Sequence, residues 1–178
     1  MAIFQDKLIV ENEVYRFNHF QQLTLDYTIV LEEPHRINDM VLLGGQILVY
    51  GHMSNHKISV ICLVDGSFVF ETKFVLKTNG AFSVRFPIYK MKVSKNRADQ
   101  FFCCLNNKEL KRITVNKDLI KQGGPFPNET LFWSAHQNIV DYQQIDEINL
   151  LVLTNQKMII VDQFTGEAHI SLRCLPEP

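Results

Sequence analysis

The 178-residue sequence lacks the features that would assign it quickly to a specialised class. It has four cysteines, Cys62, Cys103, Cys104 and Cys174, and no C-x-x-C pair, so no disulfide framework is expected. All four sit in apolar runs such as Val60-Ile61-Cys62-Leu63 and Phe101-Phe102-Cys103-Cys104-Leu105, where a free thiol behaves as a small hydrophobe in a reducing compartment. No window approaches the ~18 uninterrupted apolar residues of a membrane span. The start, Met1-Ala2-Ile3-Phe4-Gln5-Asp6, has neither the basic stretch nor the long apolar run of a signal peptide. A soluble, cytoplasmic protein with no membrane partner is therefore expected.

Catalytic motifs are also missing. There is no G-x-S-x-G elbow, and Gly123-Gly124 and Gly44-Gly45 lie in turn contexts rather than at the strand-to-helix step of a phosphate loop. The carboxylate pairs Glu32-Glu33 and Asp146-Glu147 fall in solvated turns, where the raised pKa of a general acid is not expected. His52 and His56, with His35 and Asp39 upstream, have residue types suited to a metal. The Gly51-His52-Met53-Ser54-Asn55-His56 segment reads instead as a loop between strands, so no metal site and no cofactor are assigned.

What the sequence does contain is strand pattern. The chain is 46% hydrophobic, enough to build a core, and no long amphipathic helix stands out. Short β-branched and aromatic runs alternate with the turn dipeptides Gly44-Gly45, Asp65-Gly66, Asn79-Gly80, Asn106-Asn107 and Thr165-Gly166. Alternation in Ile88-Tyr89-Lys90-Met91-Lys92-Val93 places Lys90 and Lys92 on one face of a strand and Tyr89, Met91 and Val93 on the other. Single helical turns are expected over Asn116–Gln122 and Thr130–Asn138. Cys103 and Cys104, adjacent on a strand, point to opposite faces.

A repeat underlies the pattern: an apolar strand, a tight turn, a second apolar strand, a polar turn and a third strand. Its clearest copy runs from Asn149 to Leu172, a second from Met40 to Phe70, a third from Lys7 to Val30, and a diverged fourth from Phe101 to Val115. Hairpin tips placed near Glu13, Gly45, Asn107 and Asn155 are 32, 62 and 48 residues apart. The expected units are 3–36, 37–76, 77–122 and 140–178 of a single domain, with 123–139 as an inter-repeat loop. The fold class is all-β, built of antiparallel propeller-like repeats, with a β-sandwich or barrel as the alternative.

Ile159-Ile160-Val161-Asp162-Gln163-Phe164-Thr165-Gly166-Glu167 resembles the blade ending of WD40-like and quinoprotein-like β-propellers, where an apolar strand closes on an aspartate followed by Thr-Gly. Gly51-His52, Ile58-Ser59-Val60 and Asp65-Gly66 resemble the Gly-His and Asp-Gly landmarks of a WD40 unit. Val161 stands where that family has the tryptophan of its Trp-Asp pair, and the one tryptophan, Trp133, lies outside the pattern. At ~40 to 45 residues per blade the chain holds about four blades. That implies a propeller fragment, a compact four-unit assembly, or half of a ring completed by a partner.

Two regions carry candidate binding residues. Gly123 to Trp133 combines Pro125 and Pro127 with Phe126, Phe132 and Trp133, aromatic types that dominate interface hot spots, so these three are the partner-binding candidates. Net charge is −1, yet residues 85–122 hold ten Lys or Arg against three Asp or Glu, a local balance of +7 that leaves −8 for the rest. Lys90, Lys92, Lys108, Lys111 and Arg112 are the anion-binding candidates, whether for nucleic acid or an acidic partner. The leading functional expectation is a non-catalytic protein-protein interaction module or scaffold subunit. The alternatives are anion or nucleic-acid binding through 85–122, and a small all-β enzyme. Unpaired edge strands at the ends of an incomplete ring also predict homo-oligomers or assembly with a protein partner.

Overall fold

The computed structural model describes residues 1–4, 7–18, 22–31, 37–53, 57–64, 67–75, 88–116, 118 and 129–173. These form sixteen strands in four antiparallel sheets, each a four-strand meander in chain order. The first sheet is β1 (Ala2–Phe4), β2 (Lys7–Val10), β3 (Glu13–Phe17) and β4 (Leu23–Thr28). The second is β5 (Ile37–Leu43), β6 (Ile47–His52), β7 (Lys57–Val64) and β8 (Ser67–Val75). The third is β9 (Ile88–Val93), β10 (Gln100–Leu105), β11 (Glu109–Thr114) and β12 (Glu129–Ser134). The fourth is β13 (Ile139–Gln144), β14 (Asn149–Thr154), β15 (Lys157–Asp162) and β16 (Ala168–Arg173). Neighbouring sheets meet through their first strands, β1 with β5 and β5 with β9, so each sheet is a propeller blade with its first strand innermost. Four separate sheets exclude the sandwich and the barrel. Among the described residues no helix is long and apolar enough to cross a membrane.

The blades are held by three apolar clusters, one per junction. Ile9 and Val14 of blade 1 meet Met40, Leu48, Tyr50 and Ile61 of blade 2. Val41, Val49, Val60 and Cys62 of blade 2 meet Met91, Phe101, Cys103 and Ile113 of blade 3. Phe102, Cys104 and Leu110 of blade 3 meet Tyr142, Leu150, Val152 and Val161 of blade 4. Successive strand residues point to opposite faces, so Phe101 and Cys103 serve one junction while Phe102 and Cys104 serve the next. Every residue of β6 and β10 is buried for this reason, which explains their apolar runs Ile47–Tyr50 and Phe101–Leu105. Among the described residues one face of each terminal blade has no neighbouring blade, and β14 alternates half-buried and buried residues along its length.

Local geometry accounts for the turns and corrects several expectations. Gly44 and Gly45 (φ 53° and 66°) and Asn106 and Asn107 (φ 53° and 55°) are left-handed pairs in three-residue hairpin connections, Gly44–Gln46 and Asn106–Lys108. Gly45 closes the first hairpin of its blade, whereas the tips at Asn107 and Asn155 close the second. The equivalent turn of blade 2 follows His52, and tips at Asn12, Met53, Asn106 and Asn155 are spaced 41, 53 and 49 residues apart. The irregular spacing predicted from sequence was a one-strand phase error in blade 2. The expected helical turn over Thr130–Asn138 and the loop over 123–139 are corrected by β12, whose Thr130 and Leu131 pair with Arg112 and Lys111. Thr130, Phe132 and Trp133 are strand-favouring types, and the propensity belongs to a fourth strand of blade 3. Asn116–Gln122 lies almost entirely outside the described residues.

Simple alternation also fails in β9. Lys90 has φ 47°, and Lys90 and Met91 together oppose Cys103, a bulge that turns Met91 inward and leaves Val93 39% exposed. Bulges recur at matching places: in the first strands of blades 2 and 4 opposite Ile37/Asp39 and Ile139/Asp141, and in the fourth strand of every blade. They mark the repeat more regularly than the side chains do.

Gly51 sits where the inner strand of the next blade passes. A Cβ there would lie 2.8 Å from Met91 Sδ and 3.3 Å from Ile88 Cβ. Met91 can swing aside, but the branched Ile88 cannot. Gly51→Val is expected to cost about 2–3 kcal/mol by overpacking and Gly51→Ala about 1 kcal/mol, measured by urea unfolding. Equal stability of Gly51→Val and the wild type would contradict this packing. Burial of Cys62, Cys103 and Cys104 gives a second expectation. Burial pushes the Cys104 thiol from 9.0 up to about 12. Because the unfolded thiol ionises first, this contribution is complete below pH 9 and is lost as pH rises through that interval. Thiol titration of the native protein should label at most Cys174, with the other three reacting only in denaturant.

Candidate functional site

The seam between blades 3 and 4 opens at both ends of its strands. At one end, the end of β12, the link from β12 to β13 and the β14–β15 turn line a groove of about 380 Å³ with the apolar Trp133, Ala135 and Ile159 and the polar His136, Gln137 and Lys157. Its backbone is pinned: Ala135 N–H donates to Lys108 O (2.8 Å) and Ile139 N–H to Asn107 O (2.6 Å). Thr154 Oγ1 accepts the Lys157 amide (2.9 Å) and lies 3.1 Å from Gln137 Oε1. Trp133 is half-buried against the blade 3–4 cluster, with its remaining surface in the groove. The aromatic segment predicted as a loop therefore places Trp133 on a strand. Phe132 is the bulged position of β12 beside it, and Phe126 lies outside the described residues.

At the opposite end a pocket of about 240 Å³ is lined by Arg97, Gln100, Arg112, Thr114, Gln163 and Phe164, among others. Arg112 Nη1 donates to Gln163 O (3.2 Å), and its guanidinium lies 4.7 Å from the Phe164 ring centroid. Burial first, then the nearby Arg97, hold the Arg112 pKa below its ordinary value, against the pull of Asp162. Arg97 grips Asp99 with two bonds (3.0 and 2.8 Å), which lower the Asp99 pKa. The turn that closes this end is the Asp-Gln-Phe-Thr-Gly segment of the propeller resemblance. Asp162 Oδ1 accepts the amides of Phe164 (2.6 Å) and Thr165 (2.9 Å), and Gly166 supplies φ 75°.

The five basic candidates are not brought together. Lys92 Nζ lies 2.9 Å and Lys90 Nζ 3.7 Å from Asp141 Oδ1, between the innermost strands of blades 3 and 4. Lys111 is buried on the face of β11 turned towards blade 2, out of reach of any surface ligand. Arg112 belongs to the pocket, and Lys108 is exposed on the turn at the other end. Among the described basic residues, Lys90 and Lys92 pair with Asp141, Arg97 pairs with Asp99, and Arg112 donates to the Gln163 carbonyl.

Sequence reading missed the inner-strand network. Asp39 Oδ1 accepts its neighbour's amide (Met40, 2.8 Å), and its Oδ2 accepts the Met91 amide of the next blade (2.6 Å). Asn38 Nδ2 donates to Ile88 O (2.5 Å). Asp141 accepts the Tyr142 amide in the same way (2.8 Å), Lys90 Nζ donates to Val140 O, and the Tyr142 hydroxyl donates to Lys90 O. Burial pushes the Asp141 pKa up, but the bond from Lys92, the Tyr142 amide and the two lysine charges outweigh it and leave it below 3.8. The available signal was the parallel between Ile37-Asn38-Asp39-Met40 and Ile139-Val140-Asp141-Tyr142. His52 is buried, with Nε2 2.6 Å from Ser59 Oγ; His35 and His56 lie outside the described residues. Among the described residues no three His, Cys, Asp or Glu side chains are grouped to hold a metal.

No protein-family model matches the sequence. No curated protein matches it either. Solved structures do match. The β-propeller domain of Myceliophteria thermophila Cps50 (Swd1) aligns at TM-score 0.67 and 9% identity, over 92% of this chain and 53% of that one. The Pseudomonas aeruginosa periplasmic gluconolactonase PpgL aligns at TM-score 0.63 and 13% identity, over 94% of this chain and 47% of that one. Saccharomyces cerevisiae Sqt1 aligns at 0.59 and 12%, over 90% and 41%. At these identities the likeness establishes the fold: the chain is a diverged β-propeller segment of four blades. It spans about half the length of the structures it matches.

The two inner-strand aspartates should differ in weight. Asp39→Ala leaves the Met91 amide without its acceptor and is expected to cost about 1–3 kcal/mol in denaturant unfolding. Asp141→Ala breaks pairs that stay in contact with water and should cost under about 1 kcal/mol. The reverse order would show that the lysine pairs, and not the Asp39 cross-link, hold the inner rim.

Proposed function

We propose that this chain is a non-catalytic protein-protein interaction module that receives a polypeptide partner in the blade 3–4 groove. The observation that carries the reading is Trp133, half-buried on strand β12 with its open surface framed by His136, Gln137 and Lys157. An aromatic floor with a polar rim is the arrangement of an interface hot spot. Propellers commonly serve as scaffolds, and that part of the reading is fold-level analogy. The carboxylates also favour it: Asp99, Asp141, Asp146 and Asp162 are all held below their ordinary pKa by bonds from side chains and turn amides, the opposite of what a general acid at neutral pH requires. An intracellular location belongs to the same proposal, since free apolar-site cysteines suit a reducing compartment.

Affinity capture from native lysate, with and without nuclease and read by mass spectrometry, tests the proposal. A nuclease-resistant protein should be recovered with the wild type and reduced at least about tenfold with Trp133→Ala, the loss of about 1.4 kcal/mol or more expected for a hot-spot aromatic. His136→Ala and Lys157→Glu alter only the rim and should weaken capture without changing the melting temperature. Recovery of nucleic acid alone, lost at high salt, would move the function to Arg112 and the basic segment around it.

A further inference from the structure

We propose that the two open blade faces of this chain are closed by a second copy of it, producing a two-fold symmetric ring of eight blades. On blade 4 the residues that alternate with the junction-facing Leu150, Val152 and Val161 form two cross-strand rows: Leu151, Ile160 and Ile170, then Leu153, Met158 and Leu172. Ile170 is 50% and Leu172 57% exposed. On blade 1 the residues that alternate with Ile9 and Val14 form the row Ile3, Leu8, Tyr15 and Leu25, with Phe17 and Leu23 paired beside it. Ile3 is 67% and Leu25 55% exposed. Apolar rows of this width on both ends of one chain are surfaces that a soluble protein covers.

The kind of cover follows from the repeat. A blade has two sides, one that receives the preceding blade and one that receives the following blade, and in blades 2 and 3 both are filled. The open side of blade 1 is the kind that receives a preceding blade; that of blade 4 is the kind that receives a following one. Blade 4 of one copy against blade 1 of another therefore repeats a junction the chain already builds three times. A two-fold axis along the propeller axis makes both missing junctions at once, and the contact closes instead of propagating. Eight blades fall within the range of propeller rings, and the chain covers 53% and 47% of the Cps50 domain and the gluconolactonase. The mode differs from the edge-strand pairing expected from sequence, because the surfaces that join are sheet faces.

Light scattering and sedimentation of the 178-residue chain, from micromolar to several hundred micromolar, test the proposal directly. The expected mass is twice 20.7 kDa. Leu25→Glu and Leu172→Glu sit at surface positions and should each give a monomer with unchanged circular dichroism. An equimolar mixture of the two should regain a dimer, since one intact blade 1 face meets one intact blade 4 face, bound roughly 10²-fold or more weakly because the second junction is lost. A wild-type monomer at every concentration would overturn the proposal without reference to any variant. So would polymers that lengthen with concentration, or a dimer that survives either substitution.

Discussion

The structure rests on burying both faces of the middle strands of the two inner blades and one face of those at the ends. A four-stranded meander presents two apolar surfaces, and one blade cannot cover both. The three junction clusters are what turn short hairpins into a core. The constraint explains the composition of β6 and β10, where every position is buried, and the free cysteines as well: Cys103 and Cys104 are small fillers for adjacent junctions. It also explains why β14, at an end, keeps the two-residue periodicity of a half-covered strand.

Polar chemistry is concentrated where apolar packing thins, along the inner strands. Bulges at Asn38, Lys90 and Val140 free backbone groups, and neighbouring blades use them: Asp39 reaches the Met91 amide, Lys90 the Val140 carbonyl and Lys92 the Asp141 carboxylate. The seam between blades 3 and 4 differs because its mouths hold surplus aromatic surface, Trp133 at one and Phe164 at the other.

Much of this was legible in the residues, and the limits are physical. Period-two runs and turn dipeptides identify strands, and the Asp162–Gly166 segment points to a blade ending because its carboxylate and glycine are needed by the turn. Gly44-Gly45 and Asn106-Asn107 look alike as dipeptides because both close left-handed hairpins, although they occupy different places in their blades. That ambiguity shifted blade 2 by one strand. The bulge at Lys90 inverted the faces of β9, and nothing in the alternation of Ile88 to Val93 reveals an inserted residue. Lys111 was counted as surface charge because lysine usually is. Its place on a two-sided strand depends on the neighbouring blade, which the local sequence does not encode. Trp133 was expected in an inter-repeat loop and lies instead on the fourth strand of blade 3.

Each blade is made of four consecutive strands, with no strand lent to a neighbour. Hydrogen-bonded partners are therefore close in the chain, and contact order within a blade is low even though the fold is all-β. Cooperation between blades passes through side-chain packing and a few hydrogen bonds between adjacent blades, such as that from the Met91 amide to Asp39, so the chain approximates a linear array of units with nearest-neighbour coupling. In such an array the inner units, coupled on two sides, open last, and the end units, coupled on one, open first. Amide protection in the free chain should be graded accordingly, greatest in the β6 and β10 backbones and declining towards β1 and β16.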